Sequence, residues 1–125
     1  MNKEEMYKKL LEEIESLLTH ESNFIANLSN ISSLMFWTLN ENFDNYINWF
    51  GFYLIDKKKE KELILGPFHG KLACTRIKFG KGVCGTCISE EKVKIVPDVH
   101  QFKGHIACDS KSNSESKFKR KNQKY

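Results

Sequence analysis

No apolar run in this sequence is longer than Trp49 to Ile55. That is far short of the roughly 20 residues a membrane-crossing helix needs. The N-terminal stretch is acidic and amphipathic and lacks the apolar segment of a secretory signal. Internal repeats, collagen-like periodicity and the composition of a disordered chain are also missing. These absences exclude membrane-spanning, exported and fibrous classes, and they lead one to expect a cytoplasmic chain. What is present suits one packed domain. The 125 residues, 40% of them hydrophobic and 12% aromatic, suffice for a single core and are too few for two.

Acids are missing from one place in particular. The last nine positions, 117–125, hold five Lys or Arg and no Asp or Glu. The net charge is +4, so removing those five charges leaves −1 on residues 1–116. The body therefore offers no electrostatic case for a specific nucleic acid partner. Residues 116–125 read as a basic, disordered tail, the bland alternative to nuclear targeting or RNA contact.

Along the chain, Met6, Leu10, Leu11, Ile14, Leu17 and Leu18 recur at helical spacing and predict a helix over residues 3–19. A second helix is expected over 22–39, capped by Ser22 or Asn23, with Asn40 to Asn45 as a polar break. The texture then changes to aromatic and β-branched residues. Residues 46–55 and 62–68 read as a hairpin across a charged turn, and Cys74 to Lys78 as a third strand. Val83 to Glu90 follows a Gly-Lys-Gly loop as a short helix, and Val93 to Val96 is a further strand stopped by Pro97. Residues 98–116 form a long loop, and long loops in small domains are usually functional. The domain limits follow: an N-terminal helix over 1–20, a domain over 21–115 and the tail.

Four cysteines, Cys74, Cys84, Cys87 and Cys108, occur in a chain without an export signal. In a reducing compartment their readings are redox chemistry, metal binding or inert burial. Cys84-Gly85-Thr86-Cys87 is a C-x-x-C motif, which raises a thioredoxin-like oxidoreductase. That motif should follow a strand in a βαβ frame, whereas here two helices precede a hairpin. A structural zinc site would draw on His69, His100 and His105. Only one C-x-x-C is present, and closed zinc sites usually use two paired sets, so no metal is expected.

Several ordered motifs carry a resemblance to a known family. They are Asn48-Trp49-Phe50-Gly51-Phe52-Tyr53-Leu54, Leu65-Gly66-Pro67-Phe68-His69-Gly70-Lys71-Leu72-Ala73-Cys74 and Gly82-Val83-Cys84-Gly85-Thr86. Pro97-Asp98-Val99-His100, Gly104-His105-Ile106-Ala107-Cys108-Asp109 and Ser112-Asn113-Ser114-Glu115 follow in turn. Across roughly residues 20–115, a domain-sized span, the chain resembles the free methionine-(R)-sulfoxide reductases, enzymes built on a GAF domain. The resemblance implies an α+β fold, an antiparallel sheet with N-terminal helices packed on it. It implies reduction of the free oxidised amino acid, with no cofactor of the protein's own, and pairing of two copies. Its three redox cysteines fall on Cys74, Cys84 and Cys108, while Cys87 lies outside the pattern.

The implied chemistry suits these residues. A thiolate attacks the sulfoxide sulfur and becomes a sulfenic acid, which a second thiol converts to a disulfide. An external dithiol, thioredoxin, then restores both. Cys108 is expected to attack, because His105 and Lys103 lie beside it in the loop and favour a thiolate. Cys84, near a helix start, and Cys74 are the resolving candidates. Glu115 is the candidate acid for the substrate's ammonium or its sulfoxide oxygen, with Asp109 second. Trp49 and Tyr53 share a strand face by period two and are expected to wall the substrate methyl group, a role compatible with sheet packing. After Glu115 the family pattern continues with apolar strands, acids and a closing helix. Here it meets Ser116-Lys117-Phe118-Lys119-Arg120-Lys121 instead, so a sheet without those C-terminal elements and weak or absent turnover are expected. A non-enzymatic, small-molecule-binding GAF module is the alternative, since a fold alone does not dictate catalysis.

Overall fold

The computed structural model describes residues 2–43, 47–90, 94–96 and 115–117, of which residue 90 and the last two segments are described by backbone alone. The elements run α1 (Lys3–His20), α2 (Phe24–Asn42), β1 (Trp49–Ile55), β2 (Glu62–Gly70), β3 (Arg76–Lys78), α3 (Gly82–Glu90), β4 (Lys94–Val96) and β5 (Glu115–Lys117). The strands make a three-stranded sheet in the order β1-β2-β3 and a two-stranded ladder, β4-β5. Among the described residues no helix is long and apolar enough to cross a membrane. The chain divides into two compact units, one of Met1–Phe52 with Pro67–Lys71, the other of Tyr53–Gly66 with Leu72–Tyr125.

In the first unit both helices begin on asparagine caps. Asn2 Oδ1 accepts from the Glu5 N–H at 2.8 Å and Asn23 Oδ1 from the Ala26 N–H at 2.9 Å. Each satisfies a donor that a helix start leaves without an intrahelical acceptor. Of the two caps the sequence offered for α2, Asn23 serves, so the helix starts at Phe24. It also runs three residues past the expected end. Asn42 Nδ2 donates to the Thr38 carbonyl at 2.8 Å, and the Phe43 N–H closes on the Leu39 carbonyl at 3.0 Å. Leu39 is buried, and its anchoring carries the last turn through residues that a polarity reading treats as a break.

Met6, Leu10 and Leu39 form the unit's core, with Leu34, Met35, Phe43 and Ile47 packed around them. The apolar stripe of α1 is wider than the surface covering it: Leu11 is 61% and Leu18 51% exposed. Ser32 lies in α2 with no exposure. Its hydroxyl donates to the Leu28 carbonyl at 2.8 Å and, across to β2, to the Pro67 carbonyl at 3.2 Å. Phe36 and Trp37 meet His69 with ring centroids 5.6 and 6.1 Å apart. Through these contacts α2 packs on the end of β2.

In the second unit, β2 and β3 pair antiparallel with Leu63 opposite Ile77. α3 packs on that pair, and Leu63, Ile77 and Ile88 form one buried cluster. The link into α3 is tight. Gly80 and Gly82 take φ of +81° and +62°, the left-handed region that glycine enters at no steric cost. The Gly80 N–H bonds the Gly85 carbonyl at 2.8 Å, and the Gly85 N–H bonds the Lys81 carbonyl at 3.0 Å. A methyl group on Gly85 would collide with the Lys78 carbonyl oxygen, a backbone atom that has no rotamer to yield. Gly85→Ala is therefore expected to lower unfolding free energy by about 1–3 kcal/mol, the usual cost of overpacking. Chemical denaturation checks this, and an unchanged midpoint would contradict the close approach.

Residues 98–116 were expected to be one loop. Instead Glu115, Ser116 and Lys117 pair with Val96, Ile95 and Lys94 as β5. The reason is physical: a ladder bonds through backbone groups, and Glu-Ser-Lys carries no apolar alternation to announce it. Of the basic tail, Ser116 and Lys117 fall in this strand, and residues 118–125 lie outside the described residues.

Candidate active site

The second unit gathers three of the candidate side chains. Cys74 follows β2, Cys84 sits in the first turn of α3 and Tyr53 lies on β1. All three pack, half-buried, against the Leu63–Ile77–Ile88 cluster. The Tyr53 hydroxyl donates to the Cys74 carbonyl at 2.7 Å, which holds the backbone of that cysteine on the sheet. The Leu65 N–H bonds the Thr75 carbonyl at 2.9 Å, pinning the residue after it. Two elements and a loop thus place two cysteines, 10 positions apart in sequence, on one apolar platform.

The cysteines differ in oxidation. Cys74 is disulfide-bonded. Cys84 and Cys87 are both reduced, the first half-buried and the second 4% exposed. Nothing in the spacing of the cysteines anticipated this division. The C-x-x-C lies on a helix that follows the antiparallel β2–β3 pair, not in a βαβ frame. Among the described residues, no three His, Cys, Asp or Glu side chains converge as a metal site.

Trp49, on β1 in the first unit, stacks on Phe68 at 5.8 Å with ring planes 18° apart. Glu115 lies in β5, its backbone opposite Val96. Cys108 and Asp109 lie outside the described residues.

One polar pair beside the platform escaped the sequence reading. Asp56, at the end of β1, accepts from Arg76 of β3 at 2.6 Å and from the Lys58 N–H at 2.9 Å. The Arg76 guanidinium, and then the Lys58 N–H, hold the Asp56 carboxyl below its ordinary value of 3.8. The signal available in sequence was the Asp-Lys-Lys-Lys turn, where an aspartate commonly bonds the backbone two residues on. A depressed carboxyl pKa stabilises the fold above the unfolded value, and that contribution is lost as pH falls through the folded one. Arg76→Gln is expected to reduce this acid-side loss by lowering the neutral-pH midpoint slightly, an exposed pair adding little, while the acid midpoint stays where it was. Denaturation midpoints from pH 7 down to about 2 test this. Equal acid sensitivity in both proteins would contradict it.

An α+β domain of N-terminal helices and a three-stranded antiparallel sheet is the architecture of the GAF class. Comparison with known proteins agrees. No family model matches the chain. It is 54% identical over 114 residues to GAF domain-containing protein A of Dictyostelium discoideum, covering 91% of this chain and 67% of that protein. It is 50% identical over 115 residues to free methionine-R-sulfoxide reductase of Saccharomyces cerevisiae, covering 92% of this chain and 63% of that one. The X-ray structure of free methionine-R-sulfoxide reductase from Neisseria meningitidis in complex with its substrate matches with a TM-score of 0.81. That match has 42% identity and covers 93% of this chain and 65% of the solved one. The chain belongs to the free methionine-R-sulfoxide reductase family of GAF domains. It spans about two thirds of the length of the curated relatives it matches.

Proposed function

We propose that this chain reduces free methionine-(R)-sulfoxide to methionine by thiol chemistry. Cys108 attacks the sulfoxide sulfur, the sulfoxide oxygen takes up a proton, and methionine leaves as Cys108 becomes a sulfenic acid. The Cys74 thiol then displaces water from that sulfenic acid to form a disulfide. Thioredoxin, acting from outside the site in a reducing cytoplasm, returns both cysteines to thiols. Glu115 pairs with the substrate ammonium or supplies the proton, with Asp109 as the second acid, and Trp49 and Tyr53 flank the methyl group.

The observation that carries this reading is the division of oxidation on one platform. Cys74 is in a disulfide, whereas Cys84 beside the same apolar cluster is reduced. A cysteine buried only as a small hydrophobe has no need of such a bond. Similarity to reductases in yeast and Neisseria supports the same substrate.

The purified chain is tested with thioredoxin, its reductase and reduced nicotinamide cofactor. Cofactor loss, slower than with a full-length relative, is expected with free methionine-(R)-sulfoxide and neither with the S epimer nor with oxidised methionine inside a peptide. Thiol titration separates enzyme from binding module. In the chain reduced beforehand, one substrate equivalent without further reductant should remove two thiols, and a module that only binds would keep all of them. Binding without thiol loss sinks the enzymatic reading.

A further inference from the structure

The proposed cycle runs through Cys108 and Cys74 and leaves both cysteines of the C-x-x-C without a step. Cys87 is nevertheless placed for chemistry. It lies three residues after Cys84 on α3, so the two side chains are neighbours on one helix face. Both are reduced. Cys84 packs on the platform that also holds the disulfide-bonded Cys74. Three sulfurs therefore form a series: one oxidised, one reduced on the same cluster, and one reduced a helical turn further on.

We propose that Cys87 is a second resolving thiol, which moves the oxidation from the Cys74 disulfide through Cys84 to a Cys84–Cys87 disulfide that the external dithiol reduces. Its place in catalysis rests on the reductase reading, whereas the disulfide transfer does not. In the first step the Cys84 thiolate attacks the Cys74 sulfur. The existing bond of Cys74 breaks, and its partner sulfur leaves with the electron pair and takes the proton that Cys84 lost. In the second step the Cys87 thiolate attacks Cys84, the Cys74–Cys84 bond breaks, and Cys74 leaves as a thiolate and is protonated. One disulfide exists before and after, so no oxidant is consumed.

The local backbone suits this exchange. Residues three apart on a helix have Cβ atoms about 5–6 Å apart, and a disulfide needs about 3.5–4.5 Å. Closure must therefore tighten the first turn of α3 by about 1–2 Å. That turn is reached through Gly80 and Gly82, which have the widest backbone freedom, and Gly85 lies between the two sulfurs. The resulting bond is strained, and strained disulfides are the more easily reduced. This accounts for the resting arrangement, with Cys74 oxidised and the C-x-x-C reduced, and makes the strained pair the point where electrons from thioredoxin enter. Cys84 is the more open of the two and is the sulfur an external thiol would reach.

Trypsin cleaves after Lys81 and Lys92, so Cys84 and Cys87 fall in one peptide. The full chain is equilibrated in glutathione buffers of rising oxidation, quenched by alkylation, digested and weighed. We expect a fraction of the 82–92 peptide to escape alkylation and be lighter by two hydrogens, with Cys74 alkylated in that same fraction. In Cys87→Ser the peptide should instead appear linked to the Cys74 peptide. Full alkylation of Cys84 and Cys87 at every poise, the intermediate ones included, overturns the proposal. In the coupled assay, Cys87→Ser and the smaller, apolar Cys87→Ala should both slow recycling by thioredoxin about tenfold. Each, reduced beforehand and freed of reductant, should still release one methionine per chain in a first turnover. Unchanged recycling overturns the proposal. Absence of methionine from wild type and variants alike counts against the reductase reading instead, and leaves the peptide measurement to decide the transfer.

Discussion

Cys108→Ser should abolish methionine formation, with turnover falling by at least about a thousandfold, as expected when the attacking nucleophile of a covalent mechanism is removed. A serine hydroxyl is not ionised near neutral pH and cannot be oxidised to a sulfenic acid, so neither half of the cycle proceeds. Cys74→Ser should behave differently. Its Cys108 still attacks, so a first equivalent of methionine appears, and then the sulfenic acid waits for a resolving thiol. Rapid-quench measurement of methionine per chain distinguishes the two variants: no burst for the first, a burst near one and little after it for the second. If Cys108→Ser keeps a full burst and Cys84→Ser loses it, the attack belongs to Cys84 and the order proposed above is wrong.

Leu63→Ala should remove about 2–5 kcal/mol of stability, the range for truncating a buried leucine. Leu63 is 4% exposed, faces Ile77 across the β2–β3 pair and meets Ile88 of α3 in the same cluster. Small domains are stable by only about 5–15 kcal/mol, so this one side chain holds a large share. The consequence reaches the site, because Tyr53, Cys74 and Cys84 pack against the same cluster. Denaturation should give a lower midpoint with an unchanged slope, and recycling by thioredoxin should slow even where the variant remains folded. A loss below about 1 kcal/mol would show that the cluster collapses around the gap, and the cysteines would then not depend on it.

Much of this architecture was legible in order and kind. The period of Met6, Leu10, Ile14 and Leu17 marks α1, and Asn23 marks the start of α2, because capping is a local bond between a side chain and the next turn. The hairpin and α3 were legible through β-branched runs and glycine-rich punctuation. Less legible were features that depend on what lies across space. Residues 40–42 look like a break and belong to α2, since Leu39 is anchored in a core built partly by α1. Leu11 looks like core and is exposed, since an apolar stripe does not reveal how much of it a neighbour covers. The Asp56–Arg76 pair joins residues 20 apart that meet only through the β1–β2 hairpin, where the Asp56 N–H bonds the Glu62 carbonyl, together with the β2–β3 register.

The amino-acid sequence alone determined the class of fold, the family and the set of sulfur atoms available for chemistry, because periodicity, capping and ordered motifs are properties of neighbours along the chain. Only the tertiary structure decided which cysteines share a platform, that Cys74 is oxidised while Cys84 and Cys87 are reduced, and that Cys87 is buried one turn from a reduced partner. Those facts depend on how β2, β3 and α3 pack, and packing sets distance and exposure between residues that no spacing in the chain relates.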